Sequence, residues 1–151
     1  MGLSVSLAGR LATQLEVLGD ATPATLKTRP KSGKWSAHEY LAHPVQHHRA
    51  TMVRLRRILA EDCPQLPSYS AEQDLEWPAL AAESTEKVLH QLEAAQQVII
   101  SLTSGLTPEQ CSRVGIHPVF GPMTLAQWLD FFLIHETHHL YVAMTRAHTR
   151  H

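Results

Sequence analysis

The segment FFLIHETHHL, residues 131–140, sets His135, His138 and His139 into an otherwise apolar run. Imidazole in such a run needs a chemical reason. Consecutive helical residues advance by ~100°, so positions i and i+4 lie ~40° apart and one turn apart along the axis. With Phe132 at the centre of the buried face, Leu125, Trp128 and Ala143 fall within ~40° of it, and His135 and His139 within ~60° on one side. His138 falls toward solvent. Two inward imidazoles at i and i+4 can turn ring nitrogens onto one cation, as in the helical histidine pair of zinc proteases. The competing reading is two core histidines, each bonded to a backbone carbonyl. A buried polar group without a partner costs ~1–3 kcal/mol. One shared ion satisfies both rings, which favours the metal.

A third ligand has to come from elsewhere, and AHEYLAHPVQHH offers His38, His43, His47 and His48. Leu41, Met52, Leu55 and Leu59 define the apolar arc of that segment. His48 lies inside the arc and His43 toward its opposite side. Pro44 follows His43, removes one helical hydrogen bond and tends to kink the turn before it. Periodicity therefore leaves the choice open. Glu136 falls near the inward arc of the last helix, as a fourth ligand or as a partner that orients an imidazole. His117 lies on the loop before that helix, within reach of the open side. Three neutral imidazoles suit zinc, nickel or iron(II) and leave a position free. Such an ion lowers the pKa of bound water, or of a coordinated thiol, toward neutrality.

Four segments have the pattern needed to position these groups. The first runs from about Ser4 to Leu18, with Leu7, Leu11, Leu15 and Leu18 on one stripe and Gly19 at its end. The second opens at Ser36, whose capping box is completed by Glu39, and stops before Pro64. The third spans Ala79 to Leu102, its apolar face carried by Val88, Leu89, Leu92, Ala95, Val98 and Ile99. Thr124 caps the last, which runs to about Thr145. Strand signals are weak throughout. The expectation is an all-α four-helix bundle, a single domain over residues 1–151 with a disordered tail at about 147–151. The loops at 63–78 and 112–123 would shape the pocket.

Composition narrows the function. Thirteen Lys and Arg against 14 Asp and Glu leave no basic excess, which argues against nucleic acid as a partner. Arg54, Arg56 and Arg57 read as a solvated helix face. Two cysteines, Cys63 and Cys111, are too few for a disulfide framework and fit a reducing, cytoplasmic setting. No run reaches the length of a membrane span, and the N-terminus lacks a basic start before a long apolar stretch. A homodimer through an exposed helix face is compatible with such a bundle.

GKWSAHEYLAH resembles the start of the second helix in the DinB/YfiT-like metalloenzyme family, the DinB superfamily. That pattern has Trp-Ser, an acidic residue three after the serine and a histidine eight after the tryptophan, here Trp35, Ser36, Glu39 and His43. HPVFGPMTLAQWLDFFLIHETHHLYV is similar to the family's closing signature, a glycine-containing loop, a threonine-capped helix and a His-x-x-x-His pair. The likeness covers nearly the whole chain in layout, and about a third of it in specific motifs. It implies a four-helix bundle and a metal triad of His43, His135 and His139. Pro44 departs from the aliphatic residue common after the first ligand, which keeps His47 and His48 as substitutes. The resemblance also implies a thiol-dependent S-transferase of the bacillithiol or mycothiol type, with a small thiol and an electrophile as partners. The alternatives are a metal-dependent hydrolase and a non-catalytic stress-response protein that binds metal or small molecules.

Overall fold

A short helix capped by Thr22, α1 (Pro23–Lys27), leads into the element on which the site is built. In the computed structural model, which describes residue 16 and residues 18–148, the Ser36 hydroxyl accepts from the Glu39 amide at 3.2 Å. The Glu39 carboxylate accepts from the Ser36 amide at 2.8 Å and also pairs with Arg29. This box opens α2 (Ala37–Ala60), as its sequence predicts. The helix expected over residues 4–18 lies outside the described residues, apart from Glu16 and the buried Leu18.

Pro44 sits inside α2 without ending it. The proline removes the amide that would donate to the Tyr40 carbonyl. Its own carbonyl accepts from His48 Nδ1 at 2.6 Å. From Ser36 to His48 every residue of this stretch is buried except the half-buried Tyr40. The helix packs against the helices Leu125–His148 and Thr85–Thr103, so both flanks of its first half are interior.

The single helix expected over residues 79–102 is two: α3 (Trp77–Ala82) and α4 (Thr85–Thr103). The Ser84 hydroxyl accepts from the Lys87 amide at 3.2 Å and restarts the chain as a new helix. Val88, Leu92 and Ile99 of α4 are buried, whereas Val98 is 48% exposed, unlike its assignment to the apolar face.

Between the bundle helices lie α5 (Pro108–Cys111) and a hairpin that the sequence reading missed. Its strands, β1 (Val114–His117) and β2 (Gly121–Thr124), pair antiparallel with Val114 opposite Thr124 and His117 opposite Gly121. Gly121 takes φ +74°, a turn conformation that favours glycine. The hairpin is tied to the end of α2: Arg113 donates to the carbonyls of Ile58 at 2.6 Å and Glu61 at 2.5 Å. The loop after α2 joins it too, through Leu66 N to Ile116 O at 3.0 Å and Ile116 N to Pro64 O at 2.9 Å. Thr124 and Gln127 then exchange hydrogen bonds at 3.2 and 2.8 Å and open α6 (Leu125–His148). This helix runs through His148, past the expected end and into the segment expected to be irregular. Among the described residues no helix is long and apolar enough to cross a membrane.

The packing at the hairpin is close. A Cβ on Gly115 would lie 2.7 Å from Ile58 Cγ1 and 2.9 Å from Leu66 Cδ1. Gly115→Ala is therefore expected to lower the unfolding free energy by about 1–3 kcal/mol. The measurement is a urea titration, in which the midpoint falls at unchanged slope.

Candidate metal centre

Helix α6 delivers two imidazoles and α2 the third. His139 Nε2 lies 3.1 Å from His135 Nε2, and His43 Nε2 lies 3.4 Å from the same atom. Ligand atoms of His43, His135 and His139 all fall within 4.8 Å of one another. His43 is buried and the other two are half-buried.

Three ring nitrogens meeting at one point cannot satisfy each other. Each neutral imidazole has one N–H and one lone pair, so His135 Nε2 can enter only one good hydrogen bond with its two neighbours. A tetrahedral ion with Zn–N of ~2.0–2.1 Å spaces its nitrogens ~3.3–3.5 Å apart, close to the separations here. The donor set therefore fits a cation. The protonation balance agrees. Burial pushes His43 down to about 4. Burial, then the neighbouring His43, pushes His135 to about 4 and His139 to about 3. All three rings are neutral at physiological pH, as metal ligands must be.

Ring orientation comes from packing. The Nδ1 atoms of His43, His135 and His139 are buried and have no hydrogen-bond partner among the described residues. Instead Trp35 stands 5.3 Å from His43, Tyr40 stands 5.6 Å from His139, and Trp77 backs Trp35 at 5.0 Å. Trp35 thus packs at the start of α2, as expected of it, and one of the rings it packs on is His43.

The remaining histidines have other places. The His47 ring stacks on His135 at 3.8 Å, and burial drives its pKa well below the usual value. His48 points away from the cluster: Nδ1 bonds the Pro44 carbonyl and Nε2 lies 3.4 Å from Glu136 Oε2. Glu136 is fully buried and accepts from Gln96 Nε2 at 2.6 Å, so it joins α6 to α4 and to His48. His38 bonds the Thr85 hydroxyl at 2.9 Å and the Ala81 carbonyl at 3.0 Å, which marks it as a core residue. His117 Nδ1 accepts from the amides of Val119 and Phe120, both at 3.1 Å, and so closes the hairpin turn. Its ring faces the cavity beside the cluster.

That cavity, of about 220 Å³, reaches His43, His47 and His135. Both expected loops contribute to its wall, the first through Ser68 and Tyr69 and the second through His117. The Tyr69 hydroxyl lies 3.0 Å from Asp74 Oδ2 and 3.0 Å from Gln46 Oε1. Burial and then Asp74 raise its pKa, so it remains a phenol. Arg54 also lines the cavity and is buried, contrary to the solvated face expected for it. Helical spacing could have found it. Arg54 follows His43 by 11 residues, which places it ~20° from His43 around the axis. A larger groove of about 470 Å³ between α2 and α4, lined by residues such as Met52 and Val98, contains no cluster of metal-binding groups among the described residues.

A family model described as the DinB superfamily matches residues 7–143. The "Putative metal-dependent hydrolase OB0782" of Oceanobacillus iheyensis is 26% identical over 123 residues, 80% of this chain and 70% of its own. The uncharacterized protein YuaE of Bacillus subtilis is 27% identical over 152 residues, 91% of this chain and 92% of its own. Among solved structures, YfiT from Bacillus subtilis is described as "a probable metal-dependent hydrolase with an unusual four-helix bundle topology". It superposes with a TM-score of 0.79 at 20% identity, over 95% of this chain and 82% of that one. TT2238, a four-helix bundle protein, gives 0.63 at 25% identity, over 91% of each chain. The fold is thus the four-helix bundle expected from the sequence.

Proposed function

The chain belongs to the DinB superfamily, and from that premise we propose that it is a metal-dependent enzyme that transfers an electrophilic carbon to the sulfur of a low-molecular-weight thiol. His43, His135 and His139 would hold the divalent ion. When bound, that ion supplies Lewis acidity, enough to bring a thiol or water toward deprotonation at neutral pH.

The observation that carries this reading is the convergence of three neutral Nε2 atoms beside a small cavity whose wall, among the described residues, contains no carboxylate. Hydrolysis by activated water ordinarily needs a general base or acid within hydrogen-bond reach of the reacting atoms. The acid groups around this site are already engaged, Asp74 by the Tyr69 hydroxyl, Glu72 by Ser70, Glu39 by Arg29 and Glu136 by Gln96. A thiolate, once formed, is a strong nucleophile without such help. The C–S bond forms as the bond to the leaving group breaks. The leaving group departs with the electron pair, and the thiol proton passes to solvent. Tyr69, held as a phenol at the cavity wall, directs its one proton to Asp74 and Gln46 and so is not a free acid or base for the reacting groups. The resemblance of the His43 and His135 motifs points to a bacillithiol- or mycothiol-like thiol. The hydrolase reading is favoured by two of the names, "Putative metal-dependent hydrolase OB0782" and, for YfiT, "a probable metal-dependent hydrolase".

The test is metal analysis followed by paired assays on the zinc-, nickel- and iron-loaded protein. One assay measures conjugation of bacillithiol or mycothiol to 1-chloro-2,4-dinitrobenzene, and the other hydrolysis of p-nitrophenyl acetate without thiol. The expected result is conjugation that needs both metal and thiol and is lost on chelation. Metal-dependent ester cleavage without thiol would move the assignment to hydrolysis. Bound metal with neither reaction, across a broad panel, would move it to a binding module.

A further inference from the structure

The metal centre does not account for the charge buried next to it. Arg54 is 7% exposed. Its Nη2 donates to the Pro67 carbonyl at 2.9 Å, and its guanidinium lies 5.5 Å from the centre of the Trp128 ring. Among the described residues no carboxylate pairs with it. A guanidinium carries five N–H donors, and a buried charge is costly unless it is paired. One carbonyl and one aromatic face offset only part of that cost. The group borders the same cavity as His43, His47 and His135, and it remains cationic because an arginine keeps its proton even when burial lowers its pKa.

We propose that Arg54 binds the carboxylate of a small anionic substrate whose reacting end reaches the three-histidine centre. The identity of what the reacting end meets rests on the metal reading above. The carboxylate site itself stands on Arg54 alone. A single planar fork matches a carboxylate through two parallel hydrogen bonds. Among the described residues no lysine and no second arginine lines the cavity, so a doubly charged phosphoryl group would be left half-neutralised by Arg54. Phe131 and Tyr69 give the rest of the wall an aromatic character suited to an apolar substrate body. The volume of about 220 Å³ limits that body to a small molecule. Arg54 follows His43, the member of the three-histidine centre on α2, by 11 residues, about three turns. The carboxylate is therefore several bonds from the reacting atom rather than attached to it.

The rival role for Arg54 is purely structural, a tether between α2 and the loop at Pro67. Calorimetric titration of the full chain with benzoate, and with benzamide as its neutral isostere, separates the two. Both ligands are titrated into zinc-loaded and metal-free protein. Benzoate is expected to bind both forms, roughly tenfold to a hundredfold more tightly than benzamide. Arg54→Gln should erase that preference, and Arg54→Lys should reduce it, while zinc stoichiometry stays that of the unaltered protein. Equal binding of benzoate and benzamide, or binding of neither, overturns the proposal without using any variant. Benzoate binding that vanishes on metal removal and survives Arg54→Gln also overturns it, because the carboxylate then sits on the ion. If the protein takes up no zinc, the metal reading fails while the benzoate–benzamide contrast on the metal-free chain still decides the role of Arg54.

Discussion

His139→Ala is expected to leave a folded protein that no longer retains one equivalent of divalent metal. The ring of His139 is half-buried on α6, with Nε2 3.1 Å from its neighbour on His135. Alanine is the best helix former, so the helix itself survives the change. Replacing partners that merely orient a ligand costs about 10- to 100-fold in metal affinity, so loss of a ligand should cost more than about 100-fold. Zinc titration against a chromophoric chelator, with metal analysis after dialysis, measures it. Stability gives an independent readout, since a ligand held at about 1,000 times its Kd stabilises the folded state by ~4 kcal/mol. Zinc should raise the melting temperature of the unaltered protein and leave that of His139→Ala unmoved. His47→Gln is the control. His47 belongs to the same cluster of rings, but it is not in the convergent set and lies flat against His135 at 3.8 Å. Retention of metal by His139→Ala together with its loss from His47→Gln would show that the ligand set is wrong.

The contrast between His139 and His43 shows where the sequence was readable. On α6 one stripe is buried, so a helical wheel centred on Phe132 placed His135 and His139 inward and His138 outward, as they stand. On α2 the wheel has no single answer. Its first half is packed on both flanks, and His38, His43, His47 and His48 are all buried. Burial therefore cannot distinguish a ligand from a core residue there, and family resemblance had to single out His43. The hairpin was missed for a related reason. Its strands have four residues each, and Gly115, Gly121 and Pro122 outweigh their few β-branched residues. What makes them strands is the tertiary pairing with the loop at Pro64 and Leu66. Arg54 read as solvated because charge in a basic run usually is. Its burial follows from the loop at Pro67 and from Trp128 folding over it, neither of which is local in sequence. The break before Ser84, like the spacing of Arg54 from His43, is a local signal. Ser84 and Thr85 form a helix start inside an apolar period that appeared continuous.

Acidification from pH 7 to pH 4.5 is expected to remove several kcal/mol from the metal-free protein. The unfolded chain takes up a proton on each histidine near pH ~6.5. In the folded protein burial holds His43 and His135 down to about 4 and His139 to about 3. Burial, and then Lys27, lowers His38 as well. Between these limits the unfolded state binds more protons than the folded state, so stability rises with pH across that window. It is fully present above pH ~6.5 and is lost progressively as the pH falls toward about 4. A tenfold change in proton affinity corresponds to about 1.4 kcal/mol, so His43, 6% exposed, accounts for ~3 kcal/mol by itself. The other two ligand rings are partly open to solvent and coupled to it, so their shares do not simply add. Urea midpoints measured in chelator at pH 7.5, 6 and 5 give the slope directly. His43→Gln should flatten it by up to about 1.4 kcal/mol per pH unit. Zinc competes with protons for the same nitrogens, so the loaded protein should hold its pH 7 midpoint to lower pH than the metal-free form. A metal-free midpoint that is level from pH 7.5 to 5 would mean that the three rings are already protonated or open to water when folded. They could not then be the neutral, convergent set that a cation requires.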